Sequence, residues 1–231
     1  FLLTLTTLLC TQKHYGLSWD EPYNYNPSVK IWDWITYSMV HPFDSCTDGK
    51  ITESWSEIHE HPSVTKLIAA FSYGLSHGWL NDLLAFRLGE FLFFAVFVAV
   101  YFLFLSKTIS LKAGLFSSLA LFFMPRMFGQ AHFATTDIPM MIMCFYTAVC
   151  FYKGLDSKKC SLILGAVWGL ALATKINALF LPIPLIPWAH LYHRDKWGFN
   201  VFCMIFLSPI IFILSWPWLW HHTIERMFEY L

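Results

Sequence analysis

The chain has 231 residues, of which 57% are hydrophobic, 19% aromatic and only 13% charged. An average soluble domain carries about 25% charged residues, and the apolar residues here gather in long runs, which excludes a single core in water and marks a multi-span membrane protein. Formal net charge is zero, so no basic surface argues for nucleic acid. The ten histidines are scattered, with no pair at zinc-protease spacing. The six cysteines read as packing residues: Cys144, Cys150 and Cys203 fall in predicted helices, Cys160 opens another, and Cys46 stands in a polar loop with only Cys10 for company.

Residues 1–10 are apolar apart from three threonines and read as the second half of a cut helix, since a span needs ~20 residues. No basic stretch precedes them and no small-residue cleavage site follows, which argues against a signal peptide. An external loop occupies 11–81. It is acidic, with Asp20, Glu21, Asp33, Asp44, Asp48, Glu53, Glu57 and Glu60 against Lys30 and Lys50 between 18 and 60. Within it, a proline followed by recurring aromatics predicts an interfacial amphipathic helix over 27–40, and Pro62 starts a second over 62–75. Six further spans are expected at 83–105, 109–128, 138–152, 162–173, 178–192 and 199–219, several short or proline-bearing. The expectation is an all-α, multi-span helix bundle of about seven spans, a single transmembrane domain over 1–231 that is part of a longer enzyme.

Lysine and arginine settle the orientation. Lys107 and Lys112, then Lys153, Lys158 and Lys159, then Arg194 and Lys196 fall in alternate short loops, which the positive-inside rule puts in the cytoplasm. The opposite side then carries the long loop, the turn over 126–137, the turn at Lys175 and the tail from Trp216.

Four elements on that side carry chemistry. The first is Asp20-Glu21. The second is Glu57-Ile58-His59-Glu60-His61-Pro62-Ser63-Val64-Thr65-Lys66. The third is Ala134-Thr135-Thr136-Asp137-Ile138-Pro139, and the fourth is Ala173-Thr174-Lys175-Ile176-Asn177 inside an apolar hairpin. Each has a plain structural reading. Asp20-Glu21 suits a helix cap or a solvated pair at a loop start, and Asp137 an N-terminal cap with proline in the first turn. Arg87 has Glu90 at i,i+3 for a partner, and Arg126 snorkels to the interface. Glu57, His59, Glu60 and His61 mix oxygen and nitrogen donors of the kind that hold zinc or manganese, with Glu60 and His61 the foremost pair. The tail Trp216-Pro217-Trp218-Leu219-Trp220-His221-His222 suits an aromatic belt.

Taken in order, these elements resemble the polytopic glycosyltransferases of the GT-C fold, especially the protein O-mannosyltransferase and aminoarabinose-transferase branch. An acidic pair opens the first external loop there, as Asp20-Glu21 does. A His-Pro-Pro-Leu-x-Lys type motif closes it, and His61-Pro62-Ser63-Val64-Thr65-Lys66 is similar, with Ser63 for the second proline and Val64 for the leucine. An acidic residue heads a later helix in an Asp-x-Pro setting, as Asp137-Ile138-Pro139 does, and Arg87 and Thr174-Lys175 match an early arginine and a Thr-Lys pair.

The resemblance implies transfer of a sugar from a polyprenyl-phosphate donor to a hydroxyl or amine of a protein or lipid acceptor, on the external or luminal face, with inversion. Asp20 is then the candidate base. Glu21 orients the acceptor or binds a metal, so a divalent ion is an open option and no cofactor is required. Cations must meet the leaving phosphate, which makes His61, Lys66, Arg87, Arg126 and Lys175 candidate substrate-binding residues, with Asp137 holding the acceptor. The rival readings are a transporter or flippase, against which stand the lack of an internal repeat and the position of the ionisable residues at outer helix ends, and an inactive scaffold of the same fold.

Overall fold

A computed structural model describes residues 1–57 and 61–230. Among these the chain is helical, with no strand, and it divides into two compact units, one of residues 1–33 and 65–139, the other of 34–64 and 140–231.

The first unit begins with α1 (Leu2–Thr11), whose threonines return their hydroxyls to carbonyls one turn back, Thr6 to Leu2 and Thr7 to Leu3. That local bond lets a polar side chain sit in an apolar helix. An irregular stretch leads to α2 (Glu21–Val40), which starts six residues before the expected 27. Pro22 occupies its first turn, where a missing N–H costs nothing, and Glu21 faces the positive helix end. Pro27 is carried inside the helix at the loss of one backbone bond.

The next helix of this unit is α4 (Ser63–Ser76), following α3 (Asp48–Trp55) of the other unit. It lies close on α5 (Asp82–Thr108), where the Ser72 hydroxyl donates to the Ala85 carbonyl at 2.6 Å and accepts from the Gly89 N–H at 2.6 Å. A Cβ at Gly89 would stand 2.8 Å from the Ile68 carbonyl, so only glycine allows this approach. Asn81 caps α5 through its side chain, with Asp82 in the first turn and Lys107 in the last, both matched to the helix dipole. The expected span over 109–128 is instead two helices, α6 (Leu111–Phe123) and α7 (Pro125–Gln130). Met124 between them is extended (φ −61°, ψ 121°), because the ring of Pro125 disfavours helical backbone in the residue before it.

In the second unit α8 (Asp137–Gly154, whose first residues belong to the first unit) leads to α9 (Lys158–Leu172), which packs along α11 (Gly198–Ser215). Gly165 and Gly169 form a Gly-x-x-x-Gly face: an added Cβ would lie 2.9 Å from the Cys203 carbonyl and 2.7 Å from the Ser208 carbonyl. Lipid gives apolar side chains little reason to cluster, so membrane helices associate through such close backbone contact. The Ser208 hydroxyl adds a 2.7 Å bond to the Gly165 carbonyl, and the Asn200 amide one of 2.8 Å to Phe151. The expected span over 178–192 opens as a 3-10 turn over Ile176–Phe180 and becomes α10 (Pro182–Tyr192) only at Pro182. α11 ends at Ser215, short of the expected 219, since Pro217 disfavours helical backbone at Trp216 (φ −125°, ψ 88°). A 3-10 turn over Pro217–Leu219 then leads to α12 (Thr223–Tyr230). Neither α3 nor α12 was expected from the sequence. Among the described residues two helices, α5 and α11, are each long and apolar enough to cross a bilayer.

Candidate functional site

The first unit gathers two of the four chemical elements around one ion pair. Glu21, at the start of α2, and Arg87, in the second turn of α5, are both fully enclosed. The Arg87 Nε donates to Glu21 Oε1 at 2.6 Å and Nη2 donates to Oε2 at 2.6 Å. This two-point contact matches the planar fork of a guanidinium to a carboxylate. Arg87 also donates from Nη1 to the Tyr15 carbonyl at 3.0 Å and from Nη2 to the Gly16 carbonyl at 2.6 Å. Four of its five N–H groups are thereby engaged within the protein. The sequence offers Glu90 as the partner, but helical spacing places two residues on a face without deciding which carboxylate a buried guanidinium meets. Glu90 is itself buried, with one carboxyl oxygen making no hydrogen bond.

Glu21 reaches further. Its Oε2 accepts from the Ser18 N–H at 2.9 Å and its Oε1 from the Ala134 N–H at 3.2 Å, while the Asn24 amide donates to the Ala134 carbonyl at 3.3 Å. One carboxylate therefore closes the segment that carries Asp20 and fastens the turn that leads to Asp137. Asp20 and Asp137 themselves are exposed. Ala134 also packs with Ala69, Phe86 and Tyr25. Burial, with help from a hydrogen bond to Tyr73, pushes the Tyr25 phenol up to about 12.

His132 backs the same turn. It is fully buried and stacks on Tyr15 with ring centroids 3.9 Å apart. Its Nδ1 lies 2.7 Å from the Phe128 carbonyl, so that nitrogen carries the proton, and Nε2 lies 2.7 Å from the Thr11 hydroxyl. Burial lowers its basicity below the ordinary imidazole value, Arg87 adding to the effect. In the sequence His132 is one of ten scattered histidines; its spacing from Phe128 is helical, but its contact with Thr11 is tertiary.

Two open hollows flank Pro22. One, of about 410 Å³, is lined by Leu17, Ser18, Trp19, Pro22 and Tyr23. The other, of about 370 Å³, is lined by Leu17, Pro22, Tyr25, Asn26, Asp82 and Leu83. Asp20 thus stands on an exposed segment bordered by apolar furrows. Of the remaining candidates in this unit, Lys66 is buried and Arg126 is exposed at the start of α7.

The second unit joins the other two elements. The Val64 N–H donates to the Ala173 carbonyl at 2.9 Å, which puts the segment after His61 beside the segment that carries Thr174 and Lys175. Thr174 is buried and returns its hydroxyl to Leu170, whereas His61 and Lys175 are half-buried. Glu60 and His59 lie outside the described residues. Among the described residues no three His, Cys, Asp or Glu side chains gather as a metal site.

A family model described as dolichyl-phosphate-mannose-protein mannosyltransferase matches residues 60–221. No curated protein and no solved structure is similar enough to match.

Proposed function

The chain belongs to the dolichyl-phosphate-mannose-protein mannosyltransferase family, and from that membership we propose that it transfers a mannose-type sugar from a polyprenyl-phosphate donor to a protein hydroxyl on the non-cytosolic face of a multi-span bundle. The observation that carries the reading is the exposed Asp20 next to a fully enclosed Glu21 that is held by Arg87 and by the turn before Asp137.

The acceptor oxygen attacks the anomeric carbon as the bond from that carbon to the phosphate oxygen breaks. Asp20 takes the acceptor proton, and the polyprenyl phosphate leaves with the bonding pair. One displacement with one base inverts the configuration. A positioned base contributes ~10²–10⁴ in rate. Asp137 orients the acceptor. In this reading Glu21 and Arg87 are positioning residues: their groups are engaged with each other and with the backbone, and they act by holding Asp20. The candidates to meet charge on the departing phosphate are His61, Lys66, Arg126 and Lys175.

The test is consumption of polyprenyl-phosphate mannose by the purified protein with a Ser/Thr-containing peptide as acceptor. Asp20→Asn should abolish transfer while the melting temperature stays that of the wild type, because Asp20 is exposed. Full activity in that variant overturns the assignment of the base. Absence of transfer by the wild type with any lipid-linked hexose overturns the reaction.

A further inference from the structure

The geometry points to α12 as an in-plane lipid anchor: its Ile224 and Phe228 sit in the boundary between phospholipid headgroups and acyl chains, while its opposite face clasps the external-loop helix α3. The anchor goes beyond the transferase reading and rests only on α11 crossing the membrane.

α12 is turned inside out for a helix of a water-soluble domain. Its apolar pair, Ile224 and Phe228, is 74% and 77% exposed, and its cation, Arg226, is buried at 7%. At 3.6 residues per turn, Ile224 and Phe228 share one face, Glu225 and Glu229 share a second about 100° away, and Arg226 and Tyr230 share the third. An apolar face beside a charged one, with the third turned inward, suits a helix lying along a membrane surface.

Arg226 fixes the inward face. It donates from Nη1 to the Trp218 carbonyl at 2.8 Å and from Nη2 to Asp48 Oδ1 at 2.7 Å and Thr52 Oγ1 at 3.0 Å, with its guanidinium carbon 3.9 Å from the Trp218 ring centroid. Asp48 and Thr52 belong to α3, so the rotation of α12 is set, and Ile224 and Phe228 are held outward.

Depth follows from Tyr230. Its ring lies 5.1 Å from that of Trp216 and 6.4 Å from that of Phe212, so the end of α12 comes back alongside the last turn of α11. Along α11, and reaching that last turn, runs a stripe at i,i+4 spacing, Phe202, Phe206, Ile210 and Leu214, each more than half exposed. In a helix apolar enough to span a bilayer, an exposed stripe of this kind faces lipid. The Ile224–Phe228 face therefore falls at the level where that stripe ends, near Trp220, as an interfacial helix should.

The test places the photo-cross-linker p-benzoyl-phenylalanine, one site at a time, at Phe228, at Glu229 and at Phe206 in the full chain in its native membrane. All three are exposed, so folding is undisturbed. After irradiation the adducts are weighed by mass spectrometry. The expected result is phospholipid-mass adducts at 228 and 206 and none at 229. Lipid at 206 without lipid at 228, or a covalent dimer or a link to another protein from 228, overturns the anchor and leaves the transferase reading standing. Equal labelling at 228 and 229 overturns the orientation of the helix, and no lipid at 206 overturns α11 as a span.

Discussion

Glu21 and Arg87, 66 positions apart in sequence, meet through two 2.6 Å bonds inside a volume closed to solvent. Each had to be stripped of water to get there, and each is repaid by the other and by four backbone groups: the Tyr15 and Gly16 carbonyls and the Ser18 and Ala134 N–H groups. Removing one partner leaves the other as an uncompensated buried charge, at a cost of ~3–5 kcal/mol. Arg87→Ala should therefore lower the melting temperature sharply in size-exclusion thermostability assays. Arg87→Lys should recover little, since an ammonium cannot make the two-point contact while also reaching two carbonyls.

If Lys175 meets the donor phosphate as proposed, its substitution should separate donor binding from chemistry. A charged hydrogen bond to a phosphate contributes about 1.5–3 kcal/mol, so Lys175→Gln should raise the KM for the lipid-linked donor by ~10- to 100-fold and leave the KM for the acceptor peptide in place. Steady-state kinetics with each substrate varied in turn checks this. Equal effects on both constants would remove Lys175 from the donor side.

The α9–α11 contact offers a packing test. A methyl at Gly169 would stand 2.7 Å from the Ser208 carbonyl, which is backbone and has no flexible end to yield. Gly169→Ala should cost ~1–3 kcal/mol, the range for over-packing a tight interface. Gly78 is exposed with nothing within 4 Å of its added carbon, so Gly78→Ala should be neutral or slightly stabilising. Unfolding in mixed detergent measures both.

His132 gives the first unit a dependence on pH. Buried, it resists protonation in the fold, while in the unfolded chain it titrates at the ordinary value of 6.5. Its folded value is the lower of the two. The stability is therefore complete above the unfolded value and declines as pH falls below about 6.5, because the unfolded state then binds a proton the fold does not. Melting curves between pH 8 and 5 should show the decline, and His132→Gln should flatten it.

What the sequence disclosed was local. The apolar runs gave α5 and α11 to within a few residues, and Pro22, Pro125, Pro182 and Pro217 mark the larger boundary shifts. Gly165 and Gly169 were legible as a helix-packing face, yet within a uniformly apolar segment a four-residue spacing of glycines is easily read past. α3 and α12 were missed because their polar residues are held by partners far away, Asp48 by Arg226 across 178 positions, and no periodicity records such a bond. The candidate site followed the same division. The acidic pair was visible as a motif, but that its two members differ, Asp20 exposed and Glu21 entombed, depended on an arginine whose nearest carboxylate in sequence proved not to be its partner.

The grip of Arg87 on the carbonyls before α2 bears on biosynthesis. The chain from Tyr15 to Glu21 has no regular backbone pairing of its own and takes its shape from groups made 66 and 113 residues later. As the nascent polypeptide leaves the ribosome, this stretch stays unformed until α5 and then the Ala134 turn have been translated. Asp20 is thus withheld from its folded position until much of the polypeptide has been made.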